Sequence, residues 1–102
     1  MKIKAFTHKG VRHVVIKDPT HSGCVAVPIE DGSSPFAKEG NKWAWDGNVE
    51  TPTLTPSILC STDHFNVTAG MIHFAGDAPH ERRGQVVPMP DLGDLADFWK
   101  DT

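Results

Sequence analysis

The sequence predicts a mainly β, single-domain protein: a small antiparallel sheet, sandwich or partly open barrel with one short C-terminal helix. Eight prolines and nine glycines divide the 102 residues into short segments, as is typical of strands joined by turns. β-Branched and aromatic residues are enriched between these breaks. Helical spacing of apolar side chains occurs at residues 91–100. The length fits one β-rich domain over residues 1–102.

The N-terminal part predicts three strands. Residues 2–6 alternate, and residues 11–17 are rich in valine and isoleucine, so with the Gly10 turn between them we expect a hairpin. Residues 24–29 predict a third strand. Because Pro28 has no amide hydrogen, this strand lies at an edge of the sheet or ends there.

A long polar loop, residues 30–41, precedes a short strand that carries Trp43 and Trp45 on one face. Pro52 and Pro56 follow, four residues apart. This spacing excludes a helix and a central strand, and it favours extended backbone at an edge. The chain then enters the sheet over residues 58–60.

The clearest element is a hairpin around a two-residue Ala69-Gly70 loop. This loop pairs Val67 with Ile72 and Phe65 with Phe74, and all four side chains then share one face, because side chains alternate along a strand. The opposite face of the hairpin is polar and carries His64, Asn66 and His73.

The C-terminal part predicts one more strand and the helix. Residues 84–90 form a short strand that two prolines stop. Residues 91–100 form the helix, with Asp91 as its N-terminal cap. Its packing face consists of Leu92, Leu95, Phe98 and Trp99.

Composition excludes several classes of function. The net charge is −3 and no basic run occurs, so we expect no duplex nucleic acid as partner. No apolar run approaches the roughly 20 residues that span a bilayer, and the N-terminus lacks the apolar core of a signal peptide. We therefore expect a cytoplasmic protein in which Cys24 and Cys60 are reduced thiols.

No standard catalytic motif is present: the sequence lacks a Gly-x-Ser-x-Gly elbow, a phosphate loop and a His-Glu-x-x-His pair. A cluster of histidines and carboxylates near the hairpin is the candidate site instead. Such groups hold divalent metals, or one accepts a proton while another orients it. Alternatively, the histidines are ordinary surface residues and the last two members form a turn. The cluster comprises Asp63, His64, His73, Asp77 and His80.

The tryptophan pair is a second candidate. Trp43 and Trp45 either pack in the core or form a flat wall that stacks on a base or sugar ring. In the second case Arg82 and Arg83 would meet phosphates; otherwise the two arginines are a solvated surface.

Five motifs of this chain, in the same order, resemble a family of small phage and prophage proteins of unassigned function. Members of that family are often labelled automatically as ammonia monooxygenase. The motifs cover about residues 42–91 and lie at Trp43–Asn48, Pro52–Ile58, His64–Phe74, Asp77–His80 and Gly84–Pro90.

The resemblance implies a zinc site, because family members carry a Cys-Pro-x-Cys-like knuckle near the N-terminus and a Cys-His pair in the hairpin. This chain has residues 20–24 in place of the knuckle and Asp63 in place of the hairpin cysteine. The family's cysteine ligands are thus largely absent. The candidate metal ligands that remain are His21, Cys24, His64 and His80.

These observations favour a phage-type accessory protein that binds a ligand without catalysis. The ligand would be a small polar molecule or a metal; one version is a nucleotide immune signal, bound to counteract host defence. No catalytic residue is assigned, and an enzyme is the less favoured interpretation. The expected ligand-binding residues are Trp43, Trp45, His64, His73, Asp77, His80, Arg82 and Arg83.

Two alternatives stay open. The proline-rich edges at residues 52–56 and 88–90 fit a protein-interaction adaptor. His64, Asp77 and His80 fit a metal-dependent hydrolase. The expected partners are a small molecule or a host or phage protein, and a homodimer fits a domain of this size.

Overall fold

The computed structural model describes residues 1–20, 23–30, 34–37, 40–60 and 63–102, and within these residues the strands form two antiparallel sheets. The first sheet has the order β1-β2-β3, with β1 at Ile3–His8, β2 at Val11–Lys17 and β3 at Cys24–Pro28. The second has five strands in chain order: β4 (Ala44–Trp45), β5 (Leu54–Cys60), β6 (Asp63–Thr68), β7 (Met71–Phe74) and β8 (Val86–Pro88).

The fold class predicted from the sequence is confirmed. Both sheets are antiparallel, the described strands do not close into a barrel, and a short 3₁₀ helix lies near the C-terminus. The two sheets share one apolar core, to which the first contributes Ile3, Val14, Ile16 and Val27. The second contributes Leu54, Ile58, Phe65, Val67, Ile72 and Phe74.

The first sheet is buried on both faces. His13 and Val15 alternate along β2 with Val14 and Ile16, and all four are buried. Val14 and Ile16 enter the core between the sheets, whereas Val15 packs on the other side with Phe6, Ala26 and Leu92. The C-terminal segment therefore forms a third layer over the first sheet.

The predicted hairpin has the register that the sequence indicated. Val67 pairs with Ile72 and Phe65 with Phe74 between β6 and β7, and all four side chains are buried. Asn66 pairs with His73 on the opposite face, as expected. The hairpin thus divides into an apolar face inside and a polar face outside.

Strand β5 is longer than predicted. It begins at Leu54 rather than at residue 58, so the proline-containing segment belongs to the strand. The pairing with β6 shifts between Leu54 and Ile58, where three residues of β5 lie opposite one of β6. This is a β-bulge, which bends a strand and redirects its side chains.

The C-terminal helix is shorter than the predicted span 91–100. It is a 3₁₀ helix at Gly93–Phe98, and Asp91 accepts a hydrogen bond from the Gly93 amide at 2.8 Å. Leu92 is buried as expected, but Phe98 is 78% exposed. A 3₁₀ helix has three residues per turn instead of 3.6, so α-helical spacing misplaces the end of the packing face.

In the described part of the chain, no helix is long and apolar enough to cross a membrane.

Candidate active site

Ser57 and His64 lie on the same outer face of β5 and β6. His64 pairs with Leu59, and Ser57 precedes Leu59 by two residues, so Ser57 is the diagonal neighbour of His64. The Ser57 Oγ lies 3.3 Å from Nε2 of His64. Both side chains are partly buried, which places a hydroxyl and an imidazole in contact next to solvent.

Asp77 completes this arrangement from the turn that follows β7. The amide of Ala78 donates to the Ala75 carbonyl at 3.1 Å, which closes the turn. The Ala75 amide donates to the carbonyl of His64 at 2.9 Å and so attaches the turn to β6. As a result, Asp77 Oδ1 lies 2.7 Å from Nδ1 of His64.

The hydrogen-bond pattern assigns the tautomer of His64. The Asp77 carboxylate accepts only, so Nδ1 of His64 carries the proton and donates it. Nε2 then has a lone pair that accepts the Ser57 hydroxyl proton. A hydroxyl, an imidazole and a carboxylate linked in this order are the Ser-His-Asp arrangement of hydrolases that act through a serine nucleophile.

A second hydrogen-bond network, centred on the buried Asp63, holds the backbone of His64. Asp63 Oδ1 accepts the backbone N–H of His64 at 2.8 Å and the Nε2–H of His80 at 2.8 Å. His80 Nδ1 accepts the amide of Arg82 at 3.1 Å, which leaves the proton on Nε2. Burial, together with the nearby carboxyl of Asp18, raises the pKa of Asp63.

A cavity of about 210 Å³ is lined in part by Ser57. Trp43 forms its inner wall and donates its indole N–H to the Ser57 carbonyl at 3.3 Å. Ser57 thus belongs to the wall of the cavity and is bonded to Trp43 through its backbone carbonyl. It is lined by Asn41, Lys42, Trp43, Pro56, Ser57 and Leu59.

The structure brings together only part of the predicted histidine–carboxylate cluster. His64 and Asp77 are in direct contact, whereas His80 binds Asp63 instead. His73 lies on β7 opposite Asn66, and among the described residues no hydrogen bond joins its ring to either network. Its proximity along the sequence therefore does not make it part of the Ser57 site.

The tryptophans and arginines do not form the expected aromatic wall with phosphate-binding groups. Trp43 is buried in the core between the sheets, which agrees with the core-packing alternative. Trp45 is partly buried and donates its indole N–H to the Asn48 carbonyl at 3.0 Å. Arg82 and Arg83 are exposed and follow His80 in a turn.

The structure also does not bring the described candidate metal ligands together. His21 lies outside the described residues, and Cys24 lines an open cleft with Leu95, Phe98 and Trp99. Both ring nitrogens of His64, and both of His80, already have hydrogen-bond partners within the protein. Among the residues that the structure describes, no three His, Cys, Asp or Glu side chains are placed to hold a metal ion. The described members of the zinc set thus do not fit a shared metal.

Ser57 is the member of this candidate site that the sequence interpretation missed. It lies in the motif Pro52–Ile58, but no Gly-x-Ser-x-Gly elbow surrounds it. The sequence did contain one signal, the spacing of seven residues between Ser57 and His64. If β5 and β6 form a hairpin in which Cys60 pairs with Asp63, then Leu59 pairs with His64, and Ser57 lies on the same face as His64.

The fold and this site define a small β protein with the side-chain arrangement of a serine hydrolase. Residues 10–75 match the family described as bacterial ubiquitination-like system serine protease (BubE), and since this is more than half of the chain, the chain belongs to that family. The matched segment includes Ser57 and His64, and Asp77 lies two residues beyond it. Comparison with curated proteins and with solved structures found no match.

The family corrects the functional interpretation of the sequence. The expected non-catalytic ligand-binding protein of phage type is wrong, because the family is one of proteases. The alternatives of an adaptor and of a metal-dependent hydrolase are overturned by the same match. His64 and Asp77, which the sequence interpretation named as ligand-binding residues, contact each other, and Ser57 lies at the other side of the imidazole.

Proposed function

We propose that this protein is a serine protease in which Ser57 is the nucleophile, His64 the general base and Asp77 the carboxylate that orients the imidazole. The observation that carries the proposal is the continuous contact from Ser57 Oγ to His64 Nε2 and from His64 Nδ1 to Asp77 Oδ1. The family match supports the same class of chemistry.

The geometry suits acyl transfer in two steps. In the first, the Ser57 hydroxyl attacks the carbonyl carbon of an amide while His64 Nε2 takes its proton. His64 then gives this proton to the leaving amine, and an ester with Ser57 forms. In the second step, water attacks that ester and gives a proton to Nε2, which passes it to the departing Ser57 oxygen, so that the acid product and free Ser57 are released.

We propose as substrate an amide bond in a protein of a ubiquitination-like system. The family description supports this substrate class. The site is compatible with a protein substrate because Ser57 lies at the outer face of the sheet, beside an open cavity. A substrate chain can therefore approach the hydroxyl without any rearrangement of the core.

The test is covalent labelling by a small biotinylated fluorophosphonate, followed by peptide mapping by mass spectrometry. We expect labelling on Ser57, loss of labelling in Ser57→Ala, and loss in His64→Ala, because the reagent requires an activated serine. No labelling of the wild-type protein, or labelling that persists in Ser57→Ala, would refute the proposal.

Ser34 provides a matched control. Its hydroxyl also contacts a histidine, with Oγ 2.7 Å from His13 Nε2. However, His13 Nδ1 faces the Val11 carbonyl, not a carboxylate, and His13 is fully buried. Ser34→Ala should therefore leave the labelling unchanged.

We also propose a cytoplasmic location, which agrees with the finding that the described part contains no membrane-spanning helix. Cys24 and Cys60 are not joined by a disulfide, as suits a reducing compartment. Fractionation of the producing cell, with immunodetection of the protein, tests this location. Homodimer formation stays a prediction, and light scattering would test it.

A further inference from the structure

In the described part of the chain, the edge of β5 next to Ser57 is largely unpaired. Strand β4 pairs with β5 only at two positions, Ala44 with Thr55 and Trp45 with Leu54. Before β4 the chain belongs to the other sheet, because the Trp43 amide donates to the Pro28 carbonyl of β3 at 2.9 Å. Among the residues that the structure describes, no strand pairs with this edge of β5 over residues 56–60, where a longer β4 would run, and this place is vacant in that part of the chain.

The main-chain groups of Leu59 face this vacant place. The carbonyl of Ser57 accepts the Trp43 indole N–H, so it points away from β6. Groups two residues apart in a strand point the same way, and the N–H and C=O of Leu59 therefore point there too. The His64 carbonyl, opposite Leu59, is bonded to Ala75 on the β7 side, which agrees with this assignment.

The side chains around the vacant place suit a peptide. Leu59 is 70% exposed and lies on the same face as Ser57 and His64, where it offers an apolar contact. Lys42 lines the cavity at the far side and supplies a positive charge. The peptide groups of Leu59 have no other hydrogen-bond partner among the described residues.

We propose that the protease binds its substrate as an extended segment in the place that β4 leaves vacant, with main-chain hydrogen bonds to the N–H and C=O of Leu59. This inference rests on the proposed function, since it takes Ser57 as the nucleophile. Pairing with a strand edge is an established mode of peptide recognition. It requires amide groups that are not already paired, so the cleaved segment is a flexible tail or linker of a protein substrate, and not a strand of a folded domain.

The experiment compares two variants with two probes. Leu59→Pro removes the N–H that faces the vacant place, and it breaks no bond to β6, because proline is tolerated where the amide faces outward. Leu59→Ala keeps the N–H and removes the exposed side chain. The probes are the small fluorophosphonate and an equimolar mixture of acetylated tetrapeptidyl diphenyl phosphonates, and the inactivation rate constant is measured for each.

We expect Leu59→Pro to react with the peptidyl probes about three- to ten-fold more slowly than Leu59→Ala, the range that loss of one main-chain hydrogen bond produces. The small probe, which does not fill the vacant place, should react equally with both variants. Equal rates of the two variants with the peptidyl probes, while the small probe labels Ser57 normally, would overturn this inference alone. Absence of labelling by the small probe in the wild-type protein would instead refute the proposed function.

A second measurement removes the hydrogen bond from the other partner. Peptidyl phosphonates with N-methylated main-chain amides are compared with the unmethylated mixture on the wild-type protein. We expect slower inactivation by the methylated mixture. This comparison tests the inference even if Leu59→Pro disturbs Ser57 and therefore slows both probes. Equal inactivation rates with the methylated and unmethylated mixtures would overturn the inference.

Discussion

The Asp77 carboxylate orients the His64 ring from the solvent side: the two groups are 2.7 Å apart, although the Asp77 side chain is 75% exposed. Water screens an exposed charge, so Asp77 stabilises the imidazolium less than a buried carboxylate would. Its main contribution is geometric, because it holds the tautomer with the proton on Nδ1.

Asp77→Asn should lower the rate of fluorophosphonate labelling about 100- to 1000-fold. The effect of the corresponding change in a buried triad is about 10⁴-fold, and exposure reduces it here. Asp94→Asn, at an exposed aspartate of the 3₁₀ helix, is the control and should leave the rate unchanged. A loss of less than ten-fold in Asp77→Asn would show that the carboxylate does not orient His64.

His80 is expected to act as a positioning residue for the Asp77 turn. It donates to Asp63, which also accepts the His64 amide, and its ring packs edge-on against Phe74 with centroids 4.7 Å apart. His80→Ala removes a donor from a buried carboxyl, which should cost about 2 kcal/mol in the free energy of unfolding. Because Asp77 is three residues away, the labelling rate at Ser57 should also fall about ten-fold.

His73→Ala is the matched control for His80. His73 is a partly buried histidine on β7, outside both hydrogen-bond networks. Its removal should change the free energy of unfolding by about 0.5 kcal/mol or less and leave the labelling rate as it is. Urea denaturation and the labelling assay measure both variants, and equal losses in the two would contradict the role of His80.

Two hairpin turns of the same kind differ in their surroundings. Gly10 and Gly70 both have positive φ, +80° and +79°, and each follows a residue that also has positive φ. A Cβ at Gly70 would lie 3.0 Å from the Thr51 Cα, which cannot rotate away, whereas one at Gly10 meets nothing within 4 Å.

Gly70→Ala should therefore destabilise the protein more than Gly10→Ala. Both variants bear the cost of a left-handed backbone, about 1–2 kcal/mol. Gly70→Ala adds overpacking of about 1 kcal/mol or more. Thermal and urea unfolding measure the difference, and equal destabilisation of both variants would contradict the close contact with Thr51.

Acidification should destabilise the protein through His13. Burial lowers the pKa of His13, and the nearby His8 acts in the same direction, against the hydrogen bond to Val11. Unfolding restores the ordinary value of about 6.5, so the unfolded chain binds more protons as the pH falls below neutrality. The stabilising contribution of neutral His13 is present above that pH and is lost as the pH falls towards the folded-state pKa.

The measurement is the free energy of unfolding at pH 7.5 and pH 5.5, compared with that of His13→Phe. Phenylalanine retains the stacking on Phe6, in which the ring centroids lie 5.1 Å apart, and cannot titrate. The decrease on acidification should be smaller in the variant. Asp63 acts in the opposite sense: because its pKa is raised in the folded protein, its contribution to stability is lost as the pH rises. This contribution is the same in the wild-type protein and in His13→Phe, so it does not affect the comparison. An equal decrease in both proteins would contradict the role of His13.

The sequence predicted what depends on local periodicity. The register of β6 with β7 follows from alternation and from a two-residue loop, and it is correct at Val67 and Phe65. The proximity of His64 and Asp77 could be predicted from the same hairpin, because His64 lies on β6 and Asp77 follows β7.

The parts that the sequence did not predict depend on contacts between distant residues. β4 is short because Trp43 bonds to Pro28 of the other sheet, and no local pattern encodes that bond. The bulge in β5 lies between Leu54 and Ile58, and alternation alone assumes that no bulge is present there. For these reasons the unpaired edge beside Ser57 became visible only in the folded chain.

All three groups of the Ser57–His64–Asp77 site come from one continuous stretch, formed by β5, β6, β7 and the turn after them. In chains with such short sequence separations, little loop entropy is lost when the contacts form, so they assemble early and rapidly. We therefore expect the meander of β5 to β7 to bring Ser57, His64 and Asp77 into line without help from the N-terminal sheet, which forms its own local meander. Docking of the two sheets then completes the wall of the cavity through Trp43.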